Sequence, residues 1–494
     1  MLKDIIRKEI LDNLFSSKFL LTFIISAALI LLSVYTGISG YLLDKKEYEA
    51  SVASVREDFQ ALEQSDSSFS PETVRIYRPP VALQTLVNGV SDAAGRMSKP
   101  SNGQESYLDE SKYGNRPGLT VFGALDLEFI VKMVLSLFAL LFTYDAVSGE
   151  REKGTLKIAL ANNVPRARLL LGKAIGGYIS MMLPLLIPFL LGLMILSIHP
   201  GIALTSGDWQ RIGLIFLLFL LYLSVFFALG LFVSSMTARS SSSFFVLLAL
   251  WAAIVMIIPD LSALAAAQIR PVPDISEISM QKALSSYQIE QEASKADTQM
   301  QLDSFASWRQ SKPSGDAAME AYREHTEVRQ QSADEFRLKI EEANARIDRD
   351  YQLKKAAQAG LAQNLSRISP ASGLTLGAAS LARTGVDEYS RFVESARNYS
   401  WTLRDWYTKT NSQKRLELTT YGPPNPDGSP TFRVPMGDLL PIQEALATIP
   451  AHEFEPESLE RSLQRALPDF AFMAAMTLVF LAGACIAFLR YDVR

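Results

Sequence analysis

The sequence has one cysteine, Cys485, and only three histidines, His199, His325 and His452, in 494 residues. A single thiol excludes an intrachain disulfide framework and any CxxC metal or redox motif. The histidines lie far apart and none sits in an HExxH pattern, so zinc chemistry of that kind is excluded. There is no GxSxG nucleophile elbow and no suggestion of a Ser/His/Asp set. The nearest approach to a phosphate-binding loop is Gly149-Glu150-Arg151-Glu152-Lys153-Gly154, but Thr155-Leu156 follows where Lys-Ser/Thr is required. Glu150 and Glu152 would also repel a phosphate. Nucleotide binding by this chain is rejected. A net charge of -4 gives no general argument for nucleic acid. The chain is expected to be no enzyme and to hold no metal or cofactor.

What the sequence does have is segregation. It is 48% hydrophobic and 20% charged, with a mean hydropathy of only +0.12. That average hides long uncharged apolar runs alternating with polar stretches. A membrane-crossing helix needs about 20 mostly apolar residues. Six runs are predicted to span: Phe19–Leu43, Phe129–Tyr144, Leu169–Ile198, Ile212–Met236, Phe244–Ala267 and Phe470–Leu489. The first is too long for the h-region of a signal peptide and ends in Asp44-Lys45-Lys46-Glu47, so it reads as an uncleaved span. Pro184 and Pro188 predict a kink or tilt in the third. Lys132, inside the second span but near Asp126 and Glu128, is expected to snorkel to the interface.

Lys and Arg in the short flanks orient such a protein. Lys3, Arg7, Lys8 and Lys18 precede the first span, and Arg151, Lys153, Lys157, Arg166 and Arg168 lie between the second and third. Arg239 lies between the fourth and fifth, and Arg490 and Arg494 follow the sixth. These clusters share one side if both termini are cytoplasmic, with Trp209 at the outer interface. Leu2, Ile5, Ile6, Ile10, Leu14 and Phe15 recur at helical spacing opposite Lys3, Asp4, Arg7, Lys8, Asp12 and Asn13. Residues 1–18 therefore read as an amphipathic helix on the inner leaflet.

The fold class expected is mainly α: a polytopic membrane protein with six transmembrane helices, an N-terminal interfacial helix and a mostly helical extracytoplasmic domain made from two insertions. The insertions are residues 44–124 and 268–469, between the first span (19–43), spans two to five (125–267) and the last span with its tail (470–494). In the first insertion, a polar helical pattern over Lys45–Glu63 precedes an extended Tyr77-Arg78-Pro79-Pro80 element and a loop over Ser98–Gly118. In the second, Ser276–Arg309 and Ala317–Leu361, broken at Pro313-Ser314-Gly315, predict a long antiparallel hairpin. Tyr287, Met300, Leu302, Phe305, Trp308, Phe336, Ile340 and Ile347 are candidates for its seam. An apolar amphipathic stretch over Leu374–Ala382, a helix over Val386–Tyr407 and a Pro- and Gly-rich loop over Tyr421–Pro435 follow.

The loop between the second and third spans carries the most information. It reads Glu150-x-Glu152-x-Gly154-Thr155-Leu156, a short helix, Pro165-Arg166, then Leu171-Gly172-Lys173 opening the next span. This order resembles the cytoplasmic loop of type-2 ABC transporter permeases, and the interfacial helix, six spans and inside termini agree with it. Tyr77-Arg78-Pro79-Pro80, and Ser369-Pro370 ahead of Thr384-Gly385, resemble a subgroup with large outside insertions. The resemblance implies that residues 148–168 form a coupling helix docking on a separate ATPase. Glu150, Glu152, Gly154, Thr155 and Leu156 match its start, and Pro165, Arg166, Gly172 and Lys173 its exit. It further implies two ABC ATPase subunits that bind the ATP and magnesium, a second permease subunit, identical or related, and residence in the bacterial inner membrane. Export is one implied task. Moving an extracytoplasmic protein partner through the large outside domain is another. A membrane scaffold with no ATPase is a third reading.

Overall fold

The computed structural model describes residues 2–64, 69–99, 108–109, 125–156, 165–311, 316–418, 420–422, 431–433 and 440–490. Part of the 148–168 segment (157–164), most of the Ser98–Gly118 and Tyr421–Pro435 loops, the break at 313–315 and the tail from 491 lie outside the described residues.

Helix α1 (Leu2–Leu14) is followed, after a tight turn, by α2 (Ser17–Gln64). Ser16 makes the turn: its Oγ donates to the Asn13 carbonyl at 2.6 Å and accepts from the Phe19 N–H at 3.1 Å. The sequence suggested a span over Phe19–Leu43 and a polar helical pattern over Lys45–Glu63. The two are one 48-residue helix, roughly 70 Å long and thus more than twice the apolar thickness of a bilayer. No Gly or Pro interrupts Asp44–Glu47. Asp44 is buried and pairs with Arg96, and it accepts from Gln84 Nε2 at 2.7 Å. A charge cluster that looked like a span terminus is therefore partly an anchor for the first insertion.

Five further helices are long and apolar enough to cross a membrane: α3 (Leu127–Glu152), α4 (Arg166–Ile198), α5 (Ser206–Met236), α6 (Ser240–Ile269) and, at the end of the chain, α12 (Leu459–Leu489). Helix α4 runs through Pro184 and Pro188 without a break. Helix α12 starts well before the predicted span and contains Pro468. Helices α3 and α6 each hold a π-helical turn, Ile130–Leu135 and Ala253–Ile257. A π turn releases carbonyls from the helical ladder, and both turns find donors. Tyr222 donates to Lys132 O at 2.9 Å, and Ser369 Oγ donates to Ile254 O at 2.5 Å. Trp251 Nε1 donates to Ser136 Oγ at 2.8 Å, tying the two bulged helices together.

Between α6 and α12 stand the hairpin α7 (Ile275–Ser311) and α8 (Asp316–Ser366), then α9 (Pro370–Ala382), α10 (Val386–Leu418) and α11 (Ile442–Thr448). The hairpin forms as expected, bridged by Lys282–Asp348 and by Arg329 on Asp297 at 2.6 and 3.0 Å. Its expected seam is only partly right. Tyr287, Leu302 and Phe305 are 60%, 60% and 57% exposed. The apolar stretch at Leu374–Ala382 is also more deeply placed than its insertion context suggests. Helix α9 packs against α5 and α12, and Ala371, Leu374, Ala378 and Leu381 belong to the same core as the spans.

Short antiparallel strands β1 (Ile76–Tyr77), β2 (Met97–Ser98) and β3 (Leu108–Asp109) form one sheet, and β4 (Thr420–Gly422) pairs with β5 (Thr431–Arg433). A second core joins the two insertions: Phe69 and Ile76 from the first meet Tyr399, Leu403, Leu440 and Ile442 from the second. The insertions are separate in sequence but share one apolar interior.

Candidate functional site

The end of α3, from the turn at 144–147 onward, and the residues after it are held by several helices around them. The chain leaves the membrane-type run in a turn at 144–147, and a single-turn helix, Ser148–Glu152, follows. Ser234 Oγ, near the end of α5, accepts from the N–H groups of Val147 and Ser148, both at 3.1 Å. These are donors a short helix leaves open at its start. Arg151 Nη1 donates to Thr237 O at 3.1 Å. Lys18, at the start of α2, pairs with Asp145 at 2.6 Å and lies 4.4 Å from the centre of the Tyr144 ring.

The two predicted glutamates have different partners. Glu150 Oε1 lies 2.8 Å from Lys173 Nζ on α4. Glu152 Oε2 accepts from Ser240 N at 3.2 Å and Ser240 Oγ at 2.9 Å, so it caps the N-terminus of α6, where a carboxylate suits the open N–H groups and helix dipole. Neither carboxylate projects freely. Leu156 is buried at 1% exposure, and Thr155 makes only a long contact, 3.4 Å, to Glu150 O. Gly154 has φ +72 with open space around it. Backbone conformation, not crowding, calls for glycine there.

On the exit side, Pro165 occupies the N-cap of α4 and Arg166 Nη1 donates to Leu489 O, the last residue of α12, at 2.8 Å. Lys173 is 8% exposed and reaches a second carboxylate, Glu9 of α1, at 3.3 Å. Burial pushes the Glu9 carboxyl above its ordinary range, with Lys173 opposing the shift. Gly172 and Gly176 let α1 approach. A Cβ on Gly172 would meet Ile5 Cγ2 at 2.4 Å, and one on Gly176 would meet Glu9 Cβ at 2.8 Å and Ile6 O at 3.0 Å. Close helix contact over small residues four apart is the membrane form of helix packing.

The structure thus brings Glu150, Gly172 and Lys173 together around α1, sends Glu152 to α6 and Arg166 to α12. Sequence reasoning missed Glu9, Ser234, Ser240 and Gly176. Glu9 lies on the half-buried face of α1 with Ile5, Ile6 and Ile10; a lone carboxylate on an apolar stripe was the available signal. The serines carried none.

At the opposite end of the spans, Lys132 is paired with the neighbouring Glu128 and with α9. Its Nζ lies 3.1 Å from Glu128 Oε1 and 3.2 Å from Thr375 Oγ1, and Thr375 Oγ1 donates to Glu128 Oε1 at 2.6 Å. Thr375 comes from α9, 243 residues further on, so this partner was invisible in the sequence. With Asp260 and Met256 of α6, Lys132 and Thr375 border a cavity of about 490 Å³. Beside it, Arg211 donates to Leu381 O, Ser462 Oγ and Glu457 O at 2.9, 2.9 and 2.7 Å, locking α5 to α9 and α12.

Comparison with known proteins agrees with this architecture. Over 140 residues, 28% of the chain, it is 36% identical to the probable ABC transporter permease protein NosY of Pseudomonas aeruginosa. The matched segment spans about half, 49%, of that protein. The family described as ABC-2 family transporter protein matches residues 4–493. The chain is a multi-pass membrane protein that belongs to the ABC-2 transporter family.

Proposed function

We propose that this chain is the permease subunit of an ATP-driven exporter in the bacterial inner membrane, with both termini in the cytoplasm. Two separate ATPase subunits bind ATP and magnesium, and a second permease completes the complex. Residues 148–168 form the coupling segment on which the ATPase acts. The observation that carries the reading is the attachment of this one segment: Glu150 to α4 and through Lys173 to α1, Glu152 to α6, Ser148 to α5. A push on a segment so connected is delivered to four helices at once, which is what coupling requires. Helix α6 leaves Phe245, Met256, Ile257, Leu261 and Leu264 uncovered, an apolar face available to the second permease or to lipid. Charge reversal at both sites, E150K with E152K, is expected to leave ATPase basal hydrolysis intact while abolishing its stimulation by the permease. Normal co-purification together with normal stimulation would sink the proposal.

A second reading is favoured by the common core of the two insertions and by the Arg211 lock. In it, ATP hydrolysis moves the outside domain to regulate or extract a protein partner, with no cargo crossing the spans. Deleting residues 276–361 separates the two. Transport through the spans survives under export, and all function is lost under mechanotransmission.

A further inference from the structure

The Tyr77-Arg78-Pro79-Pro80 element has no part in the coupling segment. It lies at the other end of the bundle, where its Arg78 is 6% exposed. The backbone there is fixed, with Arg78 N–H donating to Arg96 O at 2.8 Å. Yet Arg78 Nε has no acceptor among the described residues. A buried guanidinium N–H with no acceptor is costly unless something satisfies it.

Arg78 lines a cavity of about 250 Å³ whose wall also holds Tyr41, Asp208, Arg383, Glu388 and Phe454. Arg383 gives Nη2 to Asp208 at 3.0 Å, but its Nε too has no acceptor among the described residues. The two carboxylates are already engaged. Asp208 takes Arg383 and the Thr205 N–H and hydroxyl at 2.9 and 2.8 Å. Glu388 takes the Glu457 N–H at 3.2 Å and Arg391 at 3.7 Å. What the two guanidiniums in the cavity wall have to spare is an Nε–H each, and guanidinium N–H groups match phosphate oxygens. Tyr41 and Asp208 lie at the ends of the apolar stretches of α2 and α5, which is the level of lipid headgroups, and Pro79, Pro80 and Phe454 add apolar wall.

We propose that this cavity binds one phosphate group between Arg78 and Arg383, carried either by a membrane phospholipid or by a free phosphate ion. Bound there, it bridges the first insertion, the second insertion and the ends of α2 and α5. The proposal does not depend on the ATPase reading.

The test uses full-length protein, lipid-stripped in a maltoside detergent, with Tm followed at constant ionic strength. Inorganic phosphate is titrated against chloride in one arm, and phosphatidylglycerol against a phosphate-free glycolipid in the other. A saturable rise in Tm is expected, as for any ligand that binds only the folded state. A rise in both arms identifies a general phosphate site, and a rise with phosphatidylglycerol alone identifies a lipid site. R78Q is expected to abolish the rise, R78K to keep part of it, and R346Q on the exposed hairpin to leave it unchanged. If R78Q does not fold, R383Q and R78K carry the comparison. No rise in either arm for the wild type, or a full rise in both R78Q and R383Q, overturns the proposal.

Discussion

The Lys173 ammonium lies 2.8 Å from the Glu150 carboxylate, and that pair joins the last turn of α3 to the helix that follows it. The same ammonium meets Glu9 of α1 at 3.3 Å. One buried cation therefore serves two carboxylates, and the three residues do not share a cost equally.

Lys173→Met is expected to be the most damaging change in the trio. It strands Glu9 and Glu150 together, and breaking a buried pair by removing one partner costs about 3–5 kcal/mol. Their side chains are 20% and 30% exposed, so the lower end of that range applies. Tm in detergent should fall by several degrees, and α1 should become accessible to protease. Lys173→Arg, which keeps the charge, should recover most of the loss. An unchanged Tm in Lys173→Met would show that the pairs add nothing.

Glu9→Gln is expected to behave differently. Burial raises the Glu9 carboxyl from its ordinary value of 4.5. For a group raised on folding, the stabilising contribution is complete below 4.5 and is lost as pH climbs through the raised value. Glu9→Gln removes the titration and leaves an amide oxygen for Lys173. Its Tm should equal or exceed the wild type at pH 8, and the gap should close toward pH 5. A Glu9→Gln variant that is weaker at pH 8 than at pH 5 relative to wild type would reverse the sign and refute this role for Glu9.

Much of this arrangement was legible in the sequence, and the part that was not has a physical reason. The spans were visible because an uncharged apolar run of bilayer length is far too costly to leave in water. Glu150, Glu152, Gly172 and Lys173 stood out through order and position. Their partners did not. Ser234 and Ser240 lie more than 80 residues from the groups they bind, and serine has no pattern in an apolar helix. With no Gly or Pro to stop it after Leu43, the first helix runs on past the apolar run, and nothing local in the α9 stretch says that a short apolar helix of the second insertion will enter the bundle. One partner of Lys132 was hidden for the same reason, Thr375 being on that helix.

Gly176→Val tests the seat of α1. A side chain there meets the Ile6 carbonyl at 3.0 Å, a backbone atom of a packed helix, and overpacking of a closed contact costs about 1–3 kcal/mol. Cross-linking between cysteines introduced on α1 and α4 should drop severalfold, with the six spans intact. Retained cross-linking would place α1 elsewhere.

Gly154→Ala separates conformation from crowding. A Cβ at this position meets nothing within 4 Å, but φ is +72. Placing a residue other than glycine at positive φ costs roughly 1–2 kcal/mol in backbone conformation alone. The loss should therefore appear with Ala, change little on going from Ala to Ser, and shrink with Asn, which tolerates the left-handed region better. Because the strain falls on the turn after Glu152, hydrogen exchange should rise over residues 148–156 while α3 before its turn, residues 127–143, stays protected. A crowding effect would instead grow with side-chain size, from Ala to Ser to Asn, and that order would rule out a conformational origin.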